Sequence, residues 1–100
     1  MIIFNILLQE EADAGIISEF LITERYALQT HIDTNTTSDQ QGRHHKTIRL
    51  FFITKALLYN TIDEEIHKRF FTAGLVMYAT PVSHVNAEFY ELVRSRIRAA

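Results

Sequence analysis

The sequence predicts a single α+β domain with an antiparallel sheet, built in the order strand, helix, strand, strand, helix, strand, helix. Three observations lead there. Runs of apolar and β-branched residues recur four times, around residues 2–8, 28–34, 46–54 and 75–80. Between and after them lie stretches with apolar residues at helical spacing, each opened by acidic or capping residues. The chain has 100 residues, of which 47% are hydrophobic and 22% charged, which suits one ordinary globular domain, residues 1–100. This order is the split βαβ pattern, the ferredoxin-like arrangement (βαββαβ), extended by a C-terminal helix.

Each element has its own reason. Residues 2–8 are apolar at both parities, as in a central strand buried on two faces. Glu10, Glu11 and Asp13 then place negative charge where a helix dipole is positive. The stripe of that helix is read as Ala12, Ile16, Phe20 and Ala27, flanked by Ile17 and Leu21. Residues 28–34 alternate weakly and carry Gln29, His31 and Asp33 on one face; polar residues 35–45, with Gly42, read as a hairpin loop. Residues 46–54 put Ile48, Leu50 and Phe52 on one face and Arg49, Phe51 and Ile53 on the other. Thr61 and Glu64 have capping-box spacing before Ile62, Ile66 and Phe70, and Gly74 stands where a C-cap glycine would. Residues 75–80 form a short apolar strand stopped by Pro81. Asn86 caps a last helix reaching Ile97, with Phe89, Val93 and Ile97 on one stripe and Arg94, Arg96 and Arg98 at its end.

The apolar content exceeds what one helix layer can cover. With two helices on one sheet face, the other face should be polar. Instead Ile3, Phe51, Ile53, Val76 and Tyr78 supply a second apolar face. A patch of that size calls for a cover, part from the last helix and the rest from a symmetric partner chain.

Several function classes are excluded or unsupported. Without cysteine there is no disulfide framework, thiol nucleophile or Cys-rich zinc site. A net charge of −2 gives no basic footprint, so no nucleic-acid partner is expected. No apolar run approaches the roughly 20 residues of a membrane helix, the apolar start lacks a basic leader, and a soluble cytoplasmic protein is expected. No nucleophile elbow or phosphate loop occurs. Ser83 and His84 are neighbours only in sequence, and Glu10-Glu11 and Glu64-Glu65 sit at helix starts, where the dipole accounts for them. No enzymatic activity is expected.

The binding candidates are few. His31 and Asp33 alternate onto one strand face about 7 Å apart, and His44 and His45 sit in the loop, so a divalent cation is the candidate cofactor and these four its candidate ligands. His67 and His84 have no companion at ligand spacing. Lys55, at a strand end, can meet an anionic ligand or simply keep the edge soluble.

Three stretches carry a resemblance. Thr23-Glu24-Arg25-Tyr26-Ala27 is similar to a Glu-Glu-Arg-Leu-Ala helix end, Leu50-Phe51-Phe52-Ile53-Thr54-Lys55 to a Leu-Leu-Ile-Ile-Lys strand, and Ala79-Thr80-Pro81-Val82 with Asn86 and Phe89 to an Ala-Leu-Pro-Val…Asn-Pro-x-Tyr ending. In order and spacing the chain resembles the CutA divalent-cation-tolerance family, relatives of the PII signalling proteins. The resemblance implies a ferredoxin-like subunit in a tight homotrimer with strands pairing between subunits, cytoplasmic, with a role in divalent-metal tolerance or small-molecule signalling. It also points to Gln29, Arg43 and Lys55 as ligand-binding positions. Departures are specific: Gln29 stands at the family's Cys and His31 at its Asn, and Gln40-Gln41-Gly42-Arg43 replaces Trp-x-Gly-Lys. A His-Pro-Tyr is missing from residues 70–73, and Leu75-Val76 replaces Pro-Glu. A thiolate metal site is therefore impossible.

The expected function is that of a non-enzymatic homotrimeric binding or regulatory protein. The alternatives are a His/carboxylate metal-binding protein and a small dimeric ferredoxin-like enzyme with a pocket between sheet and helices. Light scattering separates the trimer from the dimer.

Overall fold

In a computed structural model that describes residues 1–70 and 74–100, β1 (Ile2–Leu8) leads into α1 (Glu11–Thr23), β2 (His31–Ser38) and β3 (His44–Thr54). A 3-10 turn (Ala56–Leu58) then runs into α2 (Tyr59–Arg69), followed by β4 (Val76–Pro81) and α3 (Ala87–Arg96). The strands form one antiparallel sheet in the order β2-β3-β1-β4, so the ferredoxin-like order read from the sequence is the observed one. β1 is central, paired on both sides, by β3 and β4. Among the described residues no helix is long and apolar enough to cross a membrane.

One sheet face and the helices make the core. Phe4, Ile6 and Leu8 of β1 and Ile48, Leu50 and Phe52 of β3 are fully buried there with Ile17 and Leu21 of α1 and Ile62 and Ile66 of α2. Phe4 stacks on Phe52 at 5.2 Å and on Tyr59 at 4.9 Å, so the aromatic pairs bridge strand to strand and strand to helix.

α1 is rotated from the expected stripe. Its buried residues are Ala14, Ile17, Ser18 and Leu21, while Ala12 and Ile16 face solvent and Phe20 is half-buried. The helix also stops at Thr23 rather than running to Ala27. The Tyr26 N–H donates to Leu21 O (2.9 Å) and the Arg25 N–H to Ile22 O (3.0 Å), which is the Schellman arrangement. Arg25 takes the left-handed position (φ 60°) that glycine usually fills, and so no glycine in the sequence marks this end. Ala27 is buried in the connection beyond it.

The other boundaries differ for local reasons. The hairpin loop shrinks to Asp39–Arg43, because residues 35–38 pair with 44–47. Asp39 organises the turn: its carboxylate accepts from the Gln41 and Arg43 N–H groups, and Gly42 takes φ 77°. α2 begins two residues before Thr61, out of the 3-10 turn, so Thr61 lies inside the helix and is not its N-cap. It ends at Arg69 with Phe70 extended; Gly74 (φ 69°) is therefore a turn residue before β4 and not the C-cap. Residues 71–73, where the missing His-Pro-Tyr would fall, lie outside the described residues. β4 includes Pro81 as its last residue, opposite Ile2. Asn86 is at the N-cap position of α3, without a side-chain capping bond.

β1 extends no further than Ile48 along β3, so residues 44–47 pair with β2 alone. The hairpin projects from the body, and the molecule measures 44 × 28 × 20 Å.

Candidate functional site

The strand residues of opposite parity form the sheet's open face. Register aligns them in rows: His31, Phe51, Asn5 and Tyr78 in one; Asp33, Arg49, Leu7 and Val76 in the next; Ile53, Ile3 and Thr80 on the other side. α3 lies across one end, where Phe89 shares a small cleft with Ile53, Leu28, Gln29 and His31 while Val93 and Ile97 are buried. The rest of this face is bare: Val76 is 48% and Tyr78 42% exposed.

Directional contacts order the bare part. The Arg49 guanidinium lies 4.1 Å from the Phe51 ring centre and donates to Asp33 Oδ2 at 2.9 Å. Asp33 Oδ1 also accepts from Asn35 Nδ2 at 2.7 Å. The His31 ring stacks on Phe51 at 5.0 Å. In the middle of the sheet Asn5 is buried, its amide donating to Ile3 O at 3.3 Å. The hydrogen bond from Arg49, with that from Asn35, holds the Asp33 carboxyl below the usual carboxylate range. The same carboxylate, with Tyr78 behind it, raises Arg49 above the ordinary arginine value. The charge on this face is internally cancelled, and an apolar, aromatic surface surrounds it.

The expected ligand sets are dispersed within one chain. Gln29 is exposed at the start of the hairpin, beside Phe89. Arg43 is at the hairpin tip, paired with Asp39 at 2.9 Å. Lys55 has a structural partner set: its ammonium donates to Ile97 O (3.0 Å), Arg98 O (3.2 Å) and Arg94 O (3.5 Å). It caps the negative end of α3 and ties it to β3. Two of the three arginines at that helix end are also accounted for locally: Arg94 pairs with Glu91, and Arg98 pairs with Glu24 and lies over Tyr26.

His31 and Asp33 sit opposite Phe51 and Arg49, whereas His44 and His45 sit opposite Ser38 and Thr37. They are thus four to seven positions apart along the ladder, about 14–24 Å at strand rise. Among the described residues no group of three His, Asp or Glu converges as a metal site. Ser83 Oγ and His84 Nδ1 are 3.3 Å apart on the surface. They border an open cleft of about 530 Å³ between the β4–α3 connection and Tyr90.

Sequence reasoning placed Phe51, Ile53, Val76 and Tyr78 on this face but missed Asn5 and the Arg49–Asp33 pair as its organisers. Cross-strand parity was the signal that could have found them, because Asn5 and Arg49 share that parity within otherwise apolar strands.

No family model matches the sequence, and no curated protein matches it by sequence. Solved structures do match its shape. CutA1 from Pyrococcus horikoshii superposes with a TM-score of 0.87 at 15% identity, covering 99% of this chain and 100% of that one. The periplasmic divalent cation tolerance protein CutA of Archaeoglobus fulgidus gives 0.84 at 14% identity, over 98% and 100%. The divalent cation tolerance protein of Thermus thermophilus gives 0.78 at 20%, again over 98% and 100%. Over its full length the chain has the fold of the CutA1 divalent cation tolerance proteins.

Proposed function

We propose that this chain is a non-enzymatic binding or regulatory protein of the CutA/PII-like kind, working as a homotrimer and linked to divalent cation tolerance or small-molecule signalling. The bare part of the open sheet face carries the reading. Leu7, Phe51, Val76 and Tyr78 surround a buried asparagine, and the one cation among them already has its counter-ion, so a second protein surface can cover them without stranding a charge. The projecting hairpin supports the same reading, since its outer strands have backbone edges and exposed side chains to offer a neighbouring copy. The CutA1-like fold supports it further. One domain spanning residues 1–100 and a cytoplasmic location belong to this proposal.

In an assembly, Gln29 and Arg43 remain the ligand-contacting candidates, both exposed; Lys55 is committed to α3. The second reading is a divalent cation held by His31, Asp33, His44 and His45. The exposure of the three histidines keeps it open, with ligands drawn from hairpins of different copies. Calorimetry with Zn²⁺ and Cu²⁺ tests it, and binding unchanged in the His31→Ala, His44→Ala double variant removes these ligands.

Light scattering after size exclusion at low micromolar concentration tests the main proposal. A trimer mass is expected. The Phe51→Asp variant, which replaces the central ring of the bare face by a carboxylate competing with Asp33 for Arg49, is expected to keep its far-ultraviolet circular dichroism and run as a monomer. A wild-type monomer or strict dimer overturns the trimer.

A further inference from the structure

Asn5 is the one polar residue of β1, in a central strand where asparagine is disfavoured. It stands at open-face parity between Phe51 of β3 and Tyr78 of β4, with Ile3 and Leu7 on either side along its own strand. Only 2% of it is exposed, as little as the residues of the core. Among the described residues its side chain makes one hydrogen bond, local and long, from Nδ2 to Ile3 O at 3.3 Å. One N–H and the carbonyl oxygen of the amide are left over. No enclosed side-chain nitrogen or oxygen lacks a partner among the described residues, so the Asn5 oxygen opens outward, through the bare face.

In a lone subunit water meets these two groups. Covering the bare face removes that water, and an amide left unpaired among apolar side chains then costs free energy. The cover must therefore bring both a donor and an acceptor to this point. A purely apolar partner brings neither, and a charged one finds no counter-charge, because Arg49 and Asp33 already neutralise each other. A second copy meets the requirement. The same face of another copy carries groups of both kinds, in the Asn5 amide, the Tyr78 hydroxyl and the His31 ring. We infer that Asn5 sets the number of copies: neighbouring copies take up its free N–H and oxygen, and only the arrangement that satisfies them is populated. The inference rests on the homotrimer reading and adds a specificity-determining residue to it. In coiled coils a single buried asparagine in an apolar seam acts in this way, fixing register and copy number at a cost in stability.

Two measurements on the full chain test it. The first follows solvent exchange of the Asn5 side-chain amide protons by nitrogen-15 NMR. Exchange about ten-fold slower or more is expected in the wild-type assembly than in the Phe51→Asp monomer. The second is the copy number of Asn5→Leu, a branched side chain without donor or acceptor, read by native mass spectrometry. This variant is expected to keep its far-ultraviolet circular dichroism and to resist denaturant at least as well as the wild type. Its mass should spread over several copy numbers where the wild type has one. An Asn5→Leu protein with the wild-type mass alone overturns the inference, and so does equal exchange in the wild type and Phe51→Asp. Both of these results leave the trimer reading standing, since the wild-type mass decides that separately. A wild-type monomer overturns both. If Asn5→Leu loses its circular dichroism, the exchange measurement alone decides.

Discussion

The two faces of this sheet come from the same four strands and are held together in different ways. The helix-covered face is aliphatic and aromatic: Phe4, Ile6, Leu8, Ile48, Leu50 and Phe52, all packed out of water. The open face interleaves apolar groups with Asn5, Arg49, Asp33 and His31, and what orders it is directional: a bidentate ion pair, a cation over a ring, a ring stack. Non-directional burial suffices to make a fold. Directional contacts add little stability in water but fix where side chains stand, as a surface meeting a partner requires. The difference therefore separates the part of the sequence that makes the fold from the part that the proposed assembly would use.

The largest test of that division is truncation on the covered side. Phe52→Ala removes a ring that stacks on Phe4 and leaves a cavity under both helices. A loss of about 3–5 kcal/mol is expected, read as a lowered denaturant midpoint. The neighbouring Phe51→Ala, one position along the same strand, should cost far less in the subunit and act on assembly. Equal losses at the two positions would erase the distinction between the faces.

A smaller effect is expected where the faces meet. α3 is the helix on the open side, and Lys55 holds its end by three carbonyls. Lys55→Met keeps the apolar stem and removes the donors, for a cost of about 1–2 kcal/mol. Hydrogen exchange should quicken in α3 while β1 and β3 keep their protection. Uniform loosening would show α3 to be part of the core and not a cover laid on the open face.

These two faces also differed in how far the sequence revealed them. Strand parity disclosed both, since Ile48, Leu50 and Phe52 alternate with Arg49, Phe51 and Ile53, and element order disclosed the topology. What stayed hidden came from three-dimensional competition. The stripe of α1 was misread because the helix has two apolar sides, and periodicity cannot say which one meets the sheet. Its end was misread because Arg25, not glycine, occupies the left-handed position. Thr61 had capping spacing, but the 3-10 turn had already started the helix at Tyr59. Lys55 was read as a ligand or solubilising charge because its partners are backbone carbonyls some forty residues away, invisible to local pattern. His31, Asp33, His44 and His45 looked like one ligand set until register put them at opposite ends of the hairpin.

The smallest effect separates the faces by pH. None of the six covered strand residues named above can ionise, so packing on that side is indifferent to acid. On the open side, the Arg49 hydrogen bond holds Asp33 below the usual carboxylate range. A carboxyl whose folded value lies below its unfolded one adds stability above the unfolded value and loses it as pH falls through the folded one. The contribution of Asp33 is therefore constant from neutrality down to about pH 4 and fades below. Asp39 and Glu65 are lowered too, by the Arg43 backbone N–H and the Arg69 side chain, and fade with the same sign. The difference between wild type and Asp33→Asn isolates the open face. The variant should melt lower than wild type at pH 7, with the gap closing as pH falls below the carboxylate range. Arg49 then has no anionic partner in either protein, and the proposed self-association, read by light scattering in the same buffers, should weaken over the same interval. A gap that persists in acid would mean that Asp33 acts through shape and not charge, and that the open face, like the covered one, is held by packing.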